Sequence, residues 1–164
     1  MTRTIALALA GAALAAGATA AQAQFGGPPP APITGTELTA TLGGKAEVPG
    51  PGSMTGDGNA MVWVDAKKNQ ACYTLMVRGV PDATMAHIHK GMAGKAGNVV
   101  VPLEKPRGYS HACEQVDHAL AMDMLAHPAD YYVNVHSAAF PKGAIRGQLK
   151  VKPAPKMPEK MPGN

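Results

Sequence analysis

Apolar and polar residues alternate along several short segments of the chain, a pattern typical of strands with one buried face. In segment 37–42, for example, Leu38, Ala40 and Leu42 fall on the same face. Glycine, proline and aspartate separate these segments from one another. Seven strands are predicted in this way: 37–42, 59–65, 71–78, 85–89, 99–103, 131–136 and 144–151.

Short strands with turn residues between them predict a mainly β fold, namely an antiparallel immunoglobulin-like or Greek-key sandwich or barrel. Two regions depart from this pattern. Segment 43–58 is predicted to be a long Gly/Pro loop. Segment 114–126 places Val116, Leu120 and Met124 at helical spacing before a proline ends the pattern. We therefore expect one short helix whose apolar stripe packs on the sheet.

The N-terminus has the features of a secretory signal peptide. Arg3 is followed by an uncharged run rich in Ala and Leu, and segment 21–23 reads Ala-Gln-Ala, which suits a cleavage site. The run is short and Ala-rich, whereas a membrane span needs about 20 apolar residues. Residues 1–23 are therefore predicted to be removed, so that the mature chain begins at Gln24 and has no integral membrane segment.

The rest of the chain divides by composition. Residues 24–33 contain Gly-Gly-Pro-Pro-Pro and are predicted to be an extended linker, and residues 152–164 form a Pro/Lys/Met tail that is predicted to be disordered. One β domain remains, from residue 34 to residue 151. That length suits a single core.

The charge of the chain is concentrated in its tail. The isoelectric point is near 9.1, but four of the lysines and only one acid lie from Lys150 onward. The domain itself is close to neutral, and no basic stripe is interleaved with aromatic residues. Nucleic-acid binding is therefore not predicted. A partner in the cell envelope, of unknown identity, is compatible with this composition.

The two cysteines, Cys72 and Cys113, belong to a chain that is predicted to be exported, where oxidation is permitted. One disulfide is the simplest interpretation. Two unpaired thiols are the alternative, and a metal site ranks last because neither cysteine lies in a C-x-x-C motif.

Polar side chains that could bind a ligand stand at alternate positions in two of the predicted strands. In extended backbone His87 and His89 point to the same side, and Asn134 and His136 share a side of their own strand. The aliphatic residues of both strands point the other way. If those residues face the core, the imidazoles lie outward, where they are free to bind a metal or a partner.

The order of several segments resembles the CHRD domain, the module named after chordin. The resemblance covers nearly the whole predicted domain and implies an immunoglobulin-like or barrel-like β fold of the kind found alone in many exported bacterial proteins. It implies no established activity. The segments that carry it are Leu-Thr-Ala-Thr-Leu at 38–42, Glu-Val-Pro at 47–49, Ala-His-Ile-His-Lys-Gly at 86–91, Asn-Val-Val-Val-Pro-Leu at 98–103, Tyr-Tyr-Val-Asn-Val-His at 131–136 and Phe-Pro-Lys-Gly-Ala-Ile-Arg-Gly-Gln-Leu at 140–149.

The sequence departs from the family pattern at a few positions. Ser137 stands where Thr commonly follows the histidine, which keeps the hydroxyl group. His111, His118 and His127 match no motif of the family. We therefore assign them no role by resemblance.

Neutral imidazole is a common ligand of copper and zinc. Two histidines at positions i and i+2 of a strand lie roughly 7 Å apart at Cα, close enough for both rings to reach one ion. His87 and His89 meet this condition, and His136 completes a three-histidine set if its strand is their neighbour. A similar His-x-His occurs on the β-sandwich of copper/zinc superoxide dismutases, although a shared fold does not confer function.

Three further residues are candidates to assist such a site. Met85 shares the face of His87 and His89, and its thioether would suit Cu(I). Asn134 could hydrogen-bond to the histidines. Arg146 could guide an anion towards a redox metal, or simply pair with a carboxylate.

These patterns leave three functions open. The first is an exported, non-enzymatic binding module, periplasmic or secreted, that holds copper or zinc at a three-histidine surface site. The second is a copper-dependent, superoxide dismutase-like redox enzyme that uses the same residues. The third is a structural or protein-interaction domain whose histidines bind no metal and only form hydrogen bonds. The sequence contains no nucleophile elbow or phosphate loop, and no catalytic residue is predicted.

Overall fold

The computed structural model describes residues 32–153. The signal peptide predicted for residues 1–23, most of the linker at 24–33 and the tail from residue 154 lie outside the described residues. Within 32–153, no helix is both long enough and apolar enough to cross a membrane.

In the described part of the chain, nine strands, all paired antiparallel, form one nearly closed, barrel-like sheet accompanied by a single α-helix. The prediction of a mainly β fold with one short helix is therefore confirmed, in its barrel form. The elements are β1 Thr36–Gly43, β2 Asp57–Asp65, β3 Gln70–Arg78, β4 Ala83–Lys90, β5 Asn98–Leu103, β6 Tyr109–Gln115, α1 His118–Ala126, β7 Tyr131–Ser137, β8 Ile145–Gln148 and β9 Lys150–Val151.

The strands follow the order β5, β4, β7, β8, β1, β2, β3, β6, and β9 pairs with β1. The two ends of this order approach each other, since β5 contacts β6 and the backbone N–H of Glu104 donates to the hydroxyl of Tyr73 at 2.7 Å. Because β4 and β7 are direct neighbours, the strands that carry His87, His89 and His136 lie side by side. Their register places His87 opposite Asn134 and His89 opposite Tyr132.

The core lies on one side of the sheet and consists mainly of the apolar residues that alternate along the strands. Leu38, Ala40 and Leu42 are almost completely buried, as the pattern of β1 predicts. On β4 and β7 the buried aliphatic residues are Ala86, Ile88, Val133 and Val135. The histidines of these two strands therefore occupy the opposite face of the sheet.

Strand β6 was not among the predicted strands. Its sequence is mostly polar and most of its side chains are exposed, because it pairs only with β3 at one end of the strand order. It is held there by a disulfide between Cys72 and Cys113, which face each other in the register. The disulfide favoured by the sequence is confirmed, and this pairing indicates an oxidising compartment.

The helix is shorter than the pattern predicted. Segment 114–126 was expected to be helical, but Glu114 continues β6 opposite Ala71. The helix starts only after Asp117, whose side chain accepts a hydrogen bond from the backbone N–H of Leu120 at 2.7 Å and so caps the first turn. Its buried residues are Ala121 and Met124. The predicted strand at 144–151 is likewise divided into β8 and β9.

Candidate metal site

Three histidine rings converge on the face of the sheet opposite the core. His87 and His89 lie on β4 and His136 lies on the neighbouring strand β7. One ring nitrogen of each residue can be chosen so that all three lie within 4.8 Å of one another. The closest pair is Nδ1 of His87 and Nε2 of His136, which are 3.2 Å apart. This spacing allows one ion to contact all three rings.

Two of the rings are oriented by backbone carbonyl groups. Nδ1 of His89 lies 2.9 Å from the carbonyl oxygen of Gly97, and Nδ1 of His136 lies 3.1 Å from that of Pro141. A carbonyl oxygen can only accept, so each Nδ1 carries a proton and each Nε2 of the neutral ring carries a lone pair. Metal-binding histidines are commonly oriented in this manner.

The Nε2 atom of His89 is buried and has no hydrogen-bond partner among the described residues. A buried nitrogen without a partner is costly, and native proteins rarely leave one. A metal ion bound by the three rings would satisfy this lone pair. The donor set consists of imidazole nitrogens, which suits copper and zinc.

The site is more enclosed than the surface site that the sequence predicted. His136 retains only 7% of its exposure and His89 only 8%, whereas His87 is half-buried. The backbone segment that contains Gly97 covers the ring of His89, and the segment that contains Pro141 covers the ring of His136. These segments come from loops, and strand alternation cannot show that loops will fold over an outward face.

Burial favours the neutral form of the His87 and His89 rings. It lowers the pKa of His87, and the neighbouring His136 and His89 lower this pKa further. Burial also lowers the pKa of His89, and the opposing effect of its bond to Gly97 is smaller. Neutral imidazole is the form that binds metal ions.

Tyr132 supports the ring of His89. The two rings stack with centroids 4.7 Å apart and an interplanar angle of 10°, and the Tyr132 hydroxyl accepts a hydrogen bond from the backbone N–H of Gly97 at 3.1 Å. A Cβ atom at position 97 would lie 1.7 Å from the carbonyl oxygen of Lys90. Only glycine therefore allows the loop to approach closely enough to hold His89.

Arg146 is buried, with 2% of its surface exposed. Its guanidinium carbon lies 3.4 Å from the centroid of the Tyr132 ring, and Nη2 donates to the backbone oxygen of Met92 at 3.0 Å. The suggestion that Arg146 guides anions from solvent does not agree with this position. The residue instead fixes Tyr132 and the loop that follows β4.

Asn134 lies between the histidines and a buried carboxylate. It is opposite His87 in the register of β4 and β7, and its Nδ2 donates to Oε2 of Glu47 at 3.3 Å. Burial raises the pKa of Glu47 to about 7, although Arg146 and Asn134 act in the opposite direction. Glu47 also packs against Gly143, where φ is +144° and a Cβ would lie 2.3 Å from Oε2.

The sequence arguments did not single out Glu47 as a residue of this face. The available indication was its place in the Glu-Val-Pro segment at 47–49, which is one of the segments that resemble the family. Its distance of 87 residues from Asn134 along the chain concealed the contact.

The remaining histidines with described side chains lie outside the cluster. His118 interacts through Nδ1 with the backbone oxygen of Ala66 at 3.0 Å, and His127 interacts with Asp123 at 3.1 Å. His111 is exposed on β6. None of the three belongs to the histidine cluster.

The fold and this face together define a small β-barrel module that carries three converging histidines beside a buried polar network. The family model of the CHRD domain matches residues 38–149. The chain therefore belongs to the CHRD domain family, and the resemblance seen in the sequence is confirmed. Comparisons with curated proteins and with solved structures produced no match.

Proposed function

We propose that this protein is an exported CHRD-domain binding module that binds a transition metal, copper or zinc, through His87, His89 and His136. Export rests on the predicted signal peptide together with the Cys72–Cys113 disulfide, and it places the protein in the periplasm or outside the cell. A protein or envelope partner is compatible with such a module.

The unpartnered Nε2 of His89 is the observation that carries the metal proposal. If the histidines served only to connect strands and loops by hydrogen bonds, both nitrogens of this buried ring would be expected to have partners. Instead one nitrogen is held by Gly97 and the other has no hydrogen-bond partner among the described residues, although the ring belongs to a group of three histidines that could hold a metal ion. Three protein ligands also leave a position for water or a further ligand.

The test uses the whole mature protein, metal-free and without a histidine tag. It is titrated separately with Zn(II) and with Cu(II) by calorimetry, and the metal content of each dialysed complex is then measured. The native protein should bind one equivalent. His89→Ala should lose stoichiometric binding, because two remaining imidazoles hold the ion far more weakly. His118→Ala removes an exposed ring outside the cluster and should bind as the native protein does.

His89 is buried, so its replacement could also destabilise the domain. His87→Ala provides a second test, since this ring is more exposed and its loss leaves the Gly97 and Pro141 contacts in place. Circular dichroism would confirm that both variants are folded. The metal proposal would be contradicted if folded His87→Ala and His89→Ala bound the ion as the native protein does. It would also be contradicted if the native protein showed no stoichiometric binding, and either result would favour the structural role.

The redox-enzyme alternative receives less support. An open ligand position is compatible with a dismutase, but the cation suggested for guiding superoxide, Arg146, is buried against Tyr132. A superoxide assay of the copper-loaded protein, with free copper as the control, would distinguish a binding module from an enzyme.

A further inference from the structure

The three-histidine cluster is least covered at His87, and we call this side its open side. Gly97 covers His89, and Pro141 lies against His136. His87 is the most exposed of the three. An ion and any additional ligand therefore reach the cluster beside His87, along the outer face of β4.

Met85 lies on this open side. It is two residues before His87, so both side chains share the outer face of β4, and it stands directly opposite His136 in the register with β7. Side chains at opposite positions of an antiparallel pair have Cβ atoms about 4.5–5.5 Å apart. The flexible Met85 side chain therefore begins within reach of an ion held by His87 and His136.

A bulge determines how this residue is presented. The register of β4 and β7 shifts between Ala83 and Met85, and Ala83 returns to the core with 7% exposure while Met85 is 47% exposed. Bulges re-aim side chains and are frequent beside functional sites. Here the bulge leaves an exposed thioether at the position opposite His136 and two residues before His87.

We propose that the site takes copper as Cu(I), with the sulfur of Met85 as a fourth ligand at the open side. This inference rests on the proposed function and adds to it the identity and oxidation state of the ion. Thioether sulfur selects Cu(I), whereas Zn(II) is well served by three imidazoles and a water molecule. The two ions should therefore differ in how far they depend on Met85.

The test measures Cu(I) affinity by anaerobic competition with the chromophoric chelator bicinchoninate, with ascorbate rather than a thiol as the reductant. Alkylation and mass analysis should verify that the Cys72–Cys113 disulfide survives, because free thiols would bind Cu(I) themselves. Met85→Leu is the informative variant, since it keeps the size and apolar character of an exposed side chain. It should weaken Cu(I) binding by at least about tenfold and leave Zn(II) binding within about twofold.

Two variants serve as matched controls. Met122→Leu makes the same change at a residue on α1 that is 51% exposed, and it should not alter Cu(I) affinity. Met92→Leu tests the exposed methionine of the loop after β4, which is 60% exposed, and it should also be neutral. X-ray absorption of the Cu(I) complex should show a sulfur neighbour that disappears in Met85→Leu.

The outcomes separate this inference from the proposed function. Unchanged Cu(I) affinity in Met85→Leu, while His89→Ala loses the ion, would leave the three-histidine site standing and overturn the role of Met85. The role of Met85 would also be overturned if Cu(I) affinity fell in Met92→Leu rather than in Met85→Leu. The same holds if Met85→Leu weakened Cu(I) and Zn(II) binding equally. Binding that survives in folded His87→Ala and His89→Ala would contradict the proposed function itself.

Discussion

Replacement of Glu47 by Gln tests the buried polar network beside the histidines. Glu47 is 5% exposed, its Oε2 accepts from Asn134, and its Oε1 has no partner among the described residues. Arg146 opposes the rise of its pKa, and Lys45 lines the same cavity. Glutamine keeps the shape of the side chain and removes its ionisation.

The raised pKa has a defined effect on stability. The pKa of Glu47 rises from 4.5 to about 7 in the folded protein, so the folded state binds this proton more tightly than the unfolded state does. Its contribution to stability is complete below pH 4.5 and is lost as the pH rises through 7. The shift corresponds to about 3 kcal/mol at most. We expect about 2 kcal/mol, because the adjacent cavity admits solvent that screens the charge.

The free energy of unfolding should be measured by urea titration of the metal-free protein at pH 5 and at pH 8. At pH 8 Glu47→Gln should be more stable than the native protein by about 2 kcal/mol, and at pH 5 the two should be nearly equal. His87 and His89 have lowered pKa values, so the folded protein becomes less stable as the pH falls and these rings become protonated. Since both proteins contain them, the difference between the two profiles isolates Glu47.

Glu104→Gln is the matched control, because Glu104 is exposed and its replacement should leave the profile nearly unchanged. The reasoning would be refuted if Glu47→Gln differed from the native protein by the same amount at both values of pH. That result would show that the carboxyl keeps one protonation state throughout this range.

Two other predictions concern processing and the disulfide. Reduction of the Cys72–Cys113 disulfide should lower the melting temperature markedly. A link between residues 41 apart contributes roughly 4 kcal/mol to stability in the chain-entropy model. An unchanged calorimetric transition after reduction would argue against this contribution. The first residue of the exported protein should be Gln24, and Ala21 is the less favoured alternative. Intact-mass analysis that finds only chains starting at Met1 would contradict export.

Local pattern was sufficient for most of the strands. Alternation identified β1 through Leu38, Ala40 and Leu42 because one face of that strand is buried along its whole length. It failed for β6, where the side chains are mostly polar and exposed and where pairing with β3 determines the strand. It also extended the helix too far, since the pairing of Glu114 with Ala71 outweighs helical spacing.

The sequence alone predicted that His87 and His89 share a face and that His136 points away from the aliphatic residues of another strand. The relative direction of side chains within a strand depends only on local backbone geometry. Only the tertiary structure decided that β4 and β7 are neighbours, that Gly97 and Pro141 orient two of the rings, and that the predicted surface site is largely enclosed. Those features depend on contacts between distant segments, and periodicity along one strand carries no information about them.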